Sequence, residues 1–214
     1  MDRRLLVLIV AAVALIGVVN ATAFAYRWIQ GTITVYGPEN AAGIACVGFY
    51  SSTAQSGIDL PAVGTNYNAK TYGDQQISVS TGQAVCQWGT PPYNELYESI
   101  TVDIPVTVGS WYIKDFYGFG YHGADTDPTV YVWFRLEQPA SGDGSISNAY
   151  LIINSTSGVI GSLNLLSSSG TMIGPFQLSP GSAWSLDLRF NATSTGSVSF
   201  TVGVYVSYQS SESP

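Results

Sequence analysis

His122 is the only histidine in the chain, and it stands in a Gly-, Tyr- and Asp-rich stretch, Gly118 to Pro128, with Asp125 and Asp127 just behind it. An imidazole beside carboxylates is the arrangement that takes a proton from a serine hydroxyl in nucleophilic catalysis. The Gly-x-Ser-x-Gly turn that would present such a serine does not occur, so His122 reads as a loop bystander and no catalytic residue is assigned. One histidine also cannot build a histidine-based metal cluster within a single chain. Asp125 and Asp127 offer oxygens to a hard cation such as Ca²⁺, which takes about six to eight. The simpler reading is a solvated acidic turn shaped by Asp127-Pro128, and neither metal nor cofactor is expected. Glycosidase chemistry needs two carboxyl groups at a set separation, and any two of Glu95, Glu98, Asp103 and Asp115 are eligible by sequence.

Three further sets of residues bear on binding and processing. Trp111, Tyr112, Tyr117, Tyr121, Tyr131 and Trp133 form either a sugar-stacking platform, as in a secreted carbohydrate-binding module, or a core with braced cross-strand pairs. The core is the reading adopted. Asn154-Ser155-Thr156 and Asn191-Ala192-Thr193 are complete acceptor sequons for N-linked glycans, each near an expected strand end. Cys46 and Cys86 are the only cysteines, and in an exported chain they are expected to join, closing a loop of about 40 residues. Two separate buried thiols are the alternative.

Strands are the elements available to hold these residues. Charge is sparse, lysine occurs only twice, and Ser, Thr, Gly, Tyr and Val are plentiful, a mixture suited to pleated surfaces and tight turns. The N terminus differs. Asp2, Arg3 and Arg4 precede an uncharged run from Leu5 to Val19, and Ala23-Phe24-Ala25 has the small-x-small form of a cleavage site. Residues 1–25 are therefore expected to be a signal peptide, leaving 189 of the 214 residues as a secreted, extracellular or cell-surface protein. The competing reading keeps the segment as a membrane-spanning helix, as in a type IV pilin, because Leu5 to Tyr26 is long enough to cross a bilayer. With the leader gone, seven basic and fourteen acidic residues fall to five and thirteen, a charge of −8, which disfavours nucleic acid as a partner.

Behind the leader, Trp28 to Tyr36 alternates: Ile29, Gly31, Ile33 and Val35 are expected to point one way, and Trp28, Gln30, Thr32, Thr34 and Tyr36 the other. Gly37-Pro38 interrupts it. Further strands are expected at 44–50, 99–108, 111–117, 146–154, 159–166, 183–190 and 197–208, with a hairpin of 76–80 and 83–88 across Thr81-Gly82. Residues 51–72, 118–128 and 139–145 read as loops or turns. Val130, Val132, Phe134 and Leu136 are expected inside, with Tyr131, Trp133, Arg135 and Glu137 opposite. Val198, Phe200, Val202, Val204 and Val206 form one apolar row. The fold expected is all-β, a jelly-roll-like antiparallel sandwich over residues 37–214 behind an N-terminal strand at 26–36.

A leader ending in small residues, a strand containing Gly31-Thr32-Ile33-Thr34-Val35 directly behind it, and a Ser/Thr/Gly-rich β domain together resemble the subunits of archaeal surface filaments. These are the bundling pili and threads, which are themselves similar to the TasA-type matrix fibres of bacterial biofilms. The resemblance is one of layout over most of the chain. It implies a non-enzymatic subunit whose jelly roll lacks one strand, the gap being filled by the N-terminal strand of an identical neighbour. Tyr26 to Tyr36 would then be the donor, with Ile29, Ile33 and Val35 as knobs and Gly31 at a tight crossing, and the partners would be identical subunits in a homopolymer. Pairing of that strand within its own domain is the alternative that periodicity leaves open.

Overall fold

A computed structural model of the chain describes residues 27–36, 45–72 and 75–214. The expected leader, residues 1–25, lies outside the described residues, as does Tyr26. Among the described residues the strands, numbered β1 to β15 along the chain, form two sheets packed face to face and a short ribbon. The protein is an all-β sandwich.

The first sheet runs, in spatial order, β13 (Met172–Leu178), β10 (Val130–Gly142), β15 (Gly196–Ser207), β1 (Arg27–Tyr36), β8 (Ser99–Val106) and β5 (Ser78–Thr81). The second runs β12 (Gly158–Asn164), β11 (Ile146–Ser155), β14 (Ala183–Ala192), β9 (Gly109–Tyr121), β2 (Val47–Tyr50), β7 (Asn94–Tyr97) and β6 (Ala84–Trp88). The ribbon pairs β3 (Lys70–Tyr72) with β4 (Gln75–Gln76). Alternation sets the inner faces: Val198, Phe200, Val202, Val204 and Val206 of β15 and Leu151, Ile153, Leu186 and Leu188 opposite are all buried. Cys46 and Cys86 form a disulfide with Cα atoms 5.4 Å apart, tying the start of β2 to β6.

Several local expectations are corrected. Residues 76–80 and 83–88 are no hairpin, because β5 pairs with β8 in the first sheet and β6 with β7 in the second, so Thr81-Gly82 carries the chain from one sheet to the other. The same two residues suit a hairpin turn and a crossing, and the Cys86 bond holds β6 on the far side. The expected loop at 118–128 begins only after Tyr121. Gly118 and Gly120 are buried strand residues over which Tyr50 and Val63 pack; a Cβ on Gly120 would fall 2.6 Å from Cε1 of Tyr50. Strand β10 continues through Pro139 to Gly142, accommodating the proline with register shifts against β15 after Leu136 and Gln138. Trp133, expected to face outward, is 1 % exposed, since the β13 backbone at Gly174 closes over its indole. Strands β7 and β13 were not legible: the first is four residues long, and the second carries Gly174 and Pro175 at its middle.

Candidate functional site: the slot that holds the first strand

Strand β1 has no sequence neighbour beside it. It lies between β8, to which it runs antiparallel, and the last strand, β15, to which it runs parallel. The register to β15 extends over all ten residues, from Arg27 opposite Gly196 to Tyr36 opposite Tyr205. To β8 it extends from Arg27 opposite Val106 to Thr34 opposite Ser99. In the single chain, then, the segment fills a slot in its own sandwich, and both edges of that slot are satisfied only while it is there.

Three rows of inward side chains cross the slot. Ile29 lies between Val198 and Ile104, Gly31 between Phe200 and Val102, and Ile33 between Val202 and Ile100. Ile29 is 3 % exposed and Ile33 1 %, and both belong to the main core, while Gln30 on the other face is exposed. Burying two isoleucines contributes about 3 to 6 kcal/mol before ordering costs. The middle row works differently. Gly31 is buried with no side chain, and the Phe200 ring occupies its place: a Cβ there would meet Cζ and lie 2.9 Å from both Cε atoms. Val35 lies in β1 opposite Val204, and its side chain is outside what is described.

The ends of the sandwich fix where β1 leads. Tyr36 pairs with Tyr205, near the end where Tyr131 pairs with Ser207, and the 121–130 connection puts Tyr121 at that same end. Val47 pairs with Tyr121, so β1 finishes and β2 starts at one end of the molecule, in opposite sheets. Ten residues, 37–46, join them, a span of at most about 35 Å. The sheets are about 10 Å apart, so this connection is long enough to reach the chain's own slot.

The other predicted residues fall elsewhere. His122 stacks on Trp88, ring centroids 3.9 Å apart and planes 10° apart, and its Nδ1 lies 3.5 Å from Oδ1 of Asp59. Trp88 Nε1 donates to that same oxygen at 2.8 Å, so the histidine sits in an indole–carboxylate contact beside the disulfide, and no hydrogen bond joins it to a serine hydroxyl among the described residues. Asp127 accepts from the amide of Ala124 at 2.8 Å and Asp125 is exposed; among the described residues no group of three metal-binding side chains occurs. The aromatic set is dispersed: Tyr117, Tyr121 and Trp133 are 1 % exposed, whereas Tyr112 is 55 % exposed. Glu95 is bound up with Tyr97 and Gln55, Glu98 with Gln83, and Asp103 lies in β8 opposite Gln30.

Sequence reading missed Asp187. It lies on the outer face of β14, yet is only 1 % exposed. It accepts from the Tyr112 hydroxyl, from the Asp115 amide at 2.6 Å and from Nδ2 of Asn154 at 2.8 Å. Asp115, at φ 52°, in turn accepts from the Gly64 amide at 2.6 Å and the Thr65 hydroxyl at 2.9 Å. A carboxylate so buried is sustained by converging donors. The side-chain amide of Asn154 is thereby engaged within the protein. At the second sequon, Asn191 accepts a hydrogen bond from Ser110 through its Oδ1.

No family model matches the chain, and no curated protein matches it at a significant level, so the site is read from its geometry.

Proposed function

We propose that this protein is the structural, non-enzymatic subunit of a secreted extracellular filament, in which β1 of one copy occupies the slot between β8 and β15 of the next and serves adhesion or biofilm cohesion. The observation that carries the reading is the slot itself. A single N-terminal strand, bonded along both sides and sharing no hairpin with either neighbour, supplies the centre of a sheet. Among the described residues its hold is backbone pairing along both sides and the apolar burial of Ile29 and Ile33, and an identical strand from a second copy would make the same contacts. Each copy that donates its strand leaves its own slot to be filled, so the contact does not close on itself and propagates as a fibre. The disulfide suits an oxidising, extracellular setting. Burial of Trp133, Tyr117 and Tyr121 weighs against a sugar-binding platform.

Gln30 and Ser199 are register partners and both are exposed, which gives the test. A chain with Gln30→Cys mixed with a chain with Ser199→Cys should give cross-linked dimers under oxidation, and the double variant should give a ladder of multimers on a non-reducing gel. A cross-link confined to single chains, with no ladder, overturns strand donation. Deleting residues 26–36 should abolish fibres seen by electron microscopy; normal fibres after the deletion would refute the reading as well.

A further inference from the structure

We infer that Phe200 is the residue that decides which strand the slot accepts and in what register: it admits only a strand with glycine facing it between two apolar residues, as in Ile29-x-Gly31-x-Ile33. This rests on the reading of β1 as the strand the slot is built to receive, and it names what the slot recognises.

The inward row of β15 is Val198, Phe200, Val202, Val204 and Val206, so Phe200 is its one aromatic residue. The one glycine of β1 faces it. Phe200 is 5 % exposed, and its ring tip is the group a Cβ on Gly31 would strike. The ring is walled in: Val102 stands across Gly31 on the β8 side, and the Ile29 and Ile33 rows lie before and behind. It therefore cannot swing aside without displacing buried neighbours.

The consequence for register follows from the two-residue period. A slip of one residue turns Gln30 and Thr32 inward and Ile29 and Ile33 outward, which burial forbids. A slip of two keeps the apolar face inward, and here valines and isoleucines alone would not discriminate, since they are near-equivalent in volume. Phe200 does discriminate, because that slip sets Ile29 or Ile33 against its ring in place of Gly31. The backbone pairing supplies attraction to any extended segment; Phe200 and Gly31 exclude the wrong ones.

A bump-and-hole pair in the full-length chain tests this. Gly31→Leu should lower occupancy of the slot about ten- to a hundredfold, read as lost hydrogen-exchange protection of the β1 amides. Adding Phe200→Ala in the chain that provides the slot should restore protection. Chains with Gly31→Leu alone and Phe200→Ala alone should co-assemble when mixed, while Gly31→Leu alone forms no fibre. If Gly31→Leu inserts as well as the parent, or if Phe200→Ala fails to rescue it, the gate is overturned, and fibres persisting in that case leave strand donation untouched. If the double variant regains protection as a monomer and the mixture forms no fibre, the gate stands and donation between copies falls.

Discussion

The slot around β1 and the knot around Asp187 hold the molecule by opposite means. In the slot, the pairings to β15 and β8 and two buried isoleucines supply the hold, and among the described side chains the one directional feature beyond the backbone is the fit of Gly31 beneath Phe200. At the knot, one buried carboxylate gathers donors from Tyr112 and Asp115 of β9 and Asn154 of β11, and Asp115 draws in Gly64 and Thr65 from the long excursion after β2. Each donor has its own direction and distance. Apolar rows and a ladder can be remade with an identical strand from elsewhere, whereas a knot of fixed hydrogen bonds belongs to the one chain whose loops compose it. On the proposed function, the contrast separates the part of this sandwich suited to exchange from the part suited to permanence.

The contrast breaks most visibly at Ile33. Ile33→Ala removes a side chain that is 1 % exposed and should cost about 3 to 4 kcal/mol, measured as a shift in denaturant midpoint. Hydrogen exchange should rise first in β1, β8 and β15 while the amide of Asp115 stays protected. Asp187→Ala should do the reverse at about 3 kcal/mol, because it strands donors in a buried place. There the Asp115 and Gly64 amides should open with β1 still protected. Equal loosening of both regions by either variant would show that the two are one cooperative unit.

Much of the slot was readable along the chain. Alternation at Trp28 to Tyr36 and at Ser197 to Tyr208 placed both strands, with Ile29, Ile33, Phe200 and Val202 on their inner faces, because half-buried strands advertise themselves with a period of two. That β1 lies beside β15 was not readable, since pairing joins the first described strand to the last and no turn signal links them. Nor was the role of Phe200, which depends on what stands across from it. Asp187 was hidden for a related reason: it sits at an outward-facing position of β14, where an acidic residue looks like ordinary surface. Its burial comes from Tyr112 and Asn154 on two other strands and from the irregularity at Asp115. Gly118 and Gly120 misled because a glycine in a strand and a glycine in a loop are the same letter, and only Tyr50 and Val63 show which is meant.

The smallest effect sharpens the knot by titration. The Tyr112 hydroxyl is held up to about 12, chiefly by donating to Asp187, then by partial burial, then by the negative charge of that carboxylate. Its unfolded value is 10.0, so the folded state keeps this proton longer than the unfolded chain does. The stability it contributes is present in full below pH 10 and is lost as pH rises through 12. Because Tyr112 is 55 % exposed and its interaction with Asp187 is screened by solvent, Tyr112→Phe should cost only about 1 kcal/mol at neutral pH, the net worth of one hydrogen bond, and its stability should fall less steeply than the parent's between pH 10 and 12. Tyr97 and Tyr121 are also pushed up to about 12, mainly by burial, so the phenolate absorbance of the parent alone is not diagnostic. The difference between parent and Tyr112→Phe isolates the one group. In an Asp187→Asn background that difference curve should move down towards 10, because the charged acceptor has gone. A curve that stays near 12 without Asp187 would mean that burial, and not the knot, holds the proton in place.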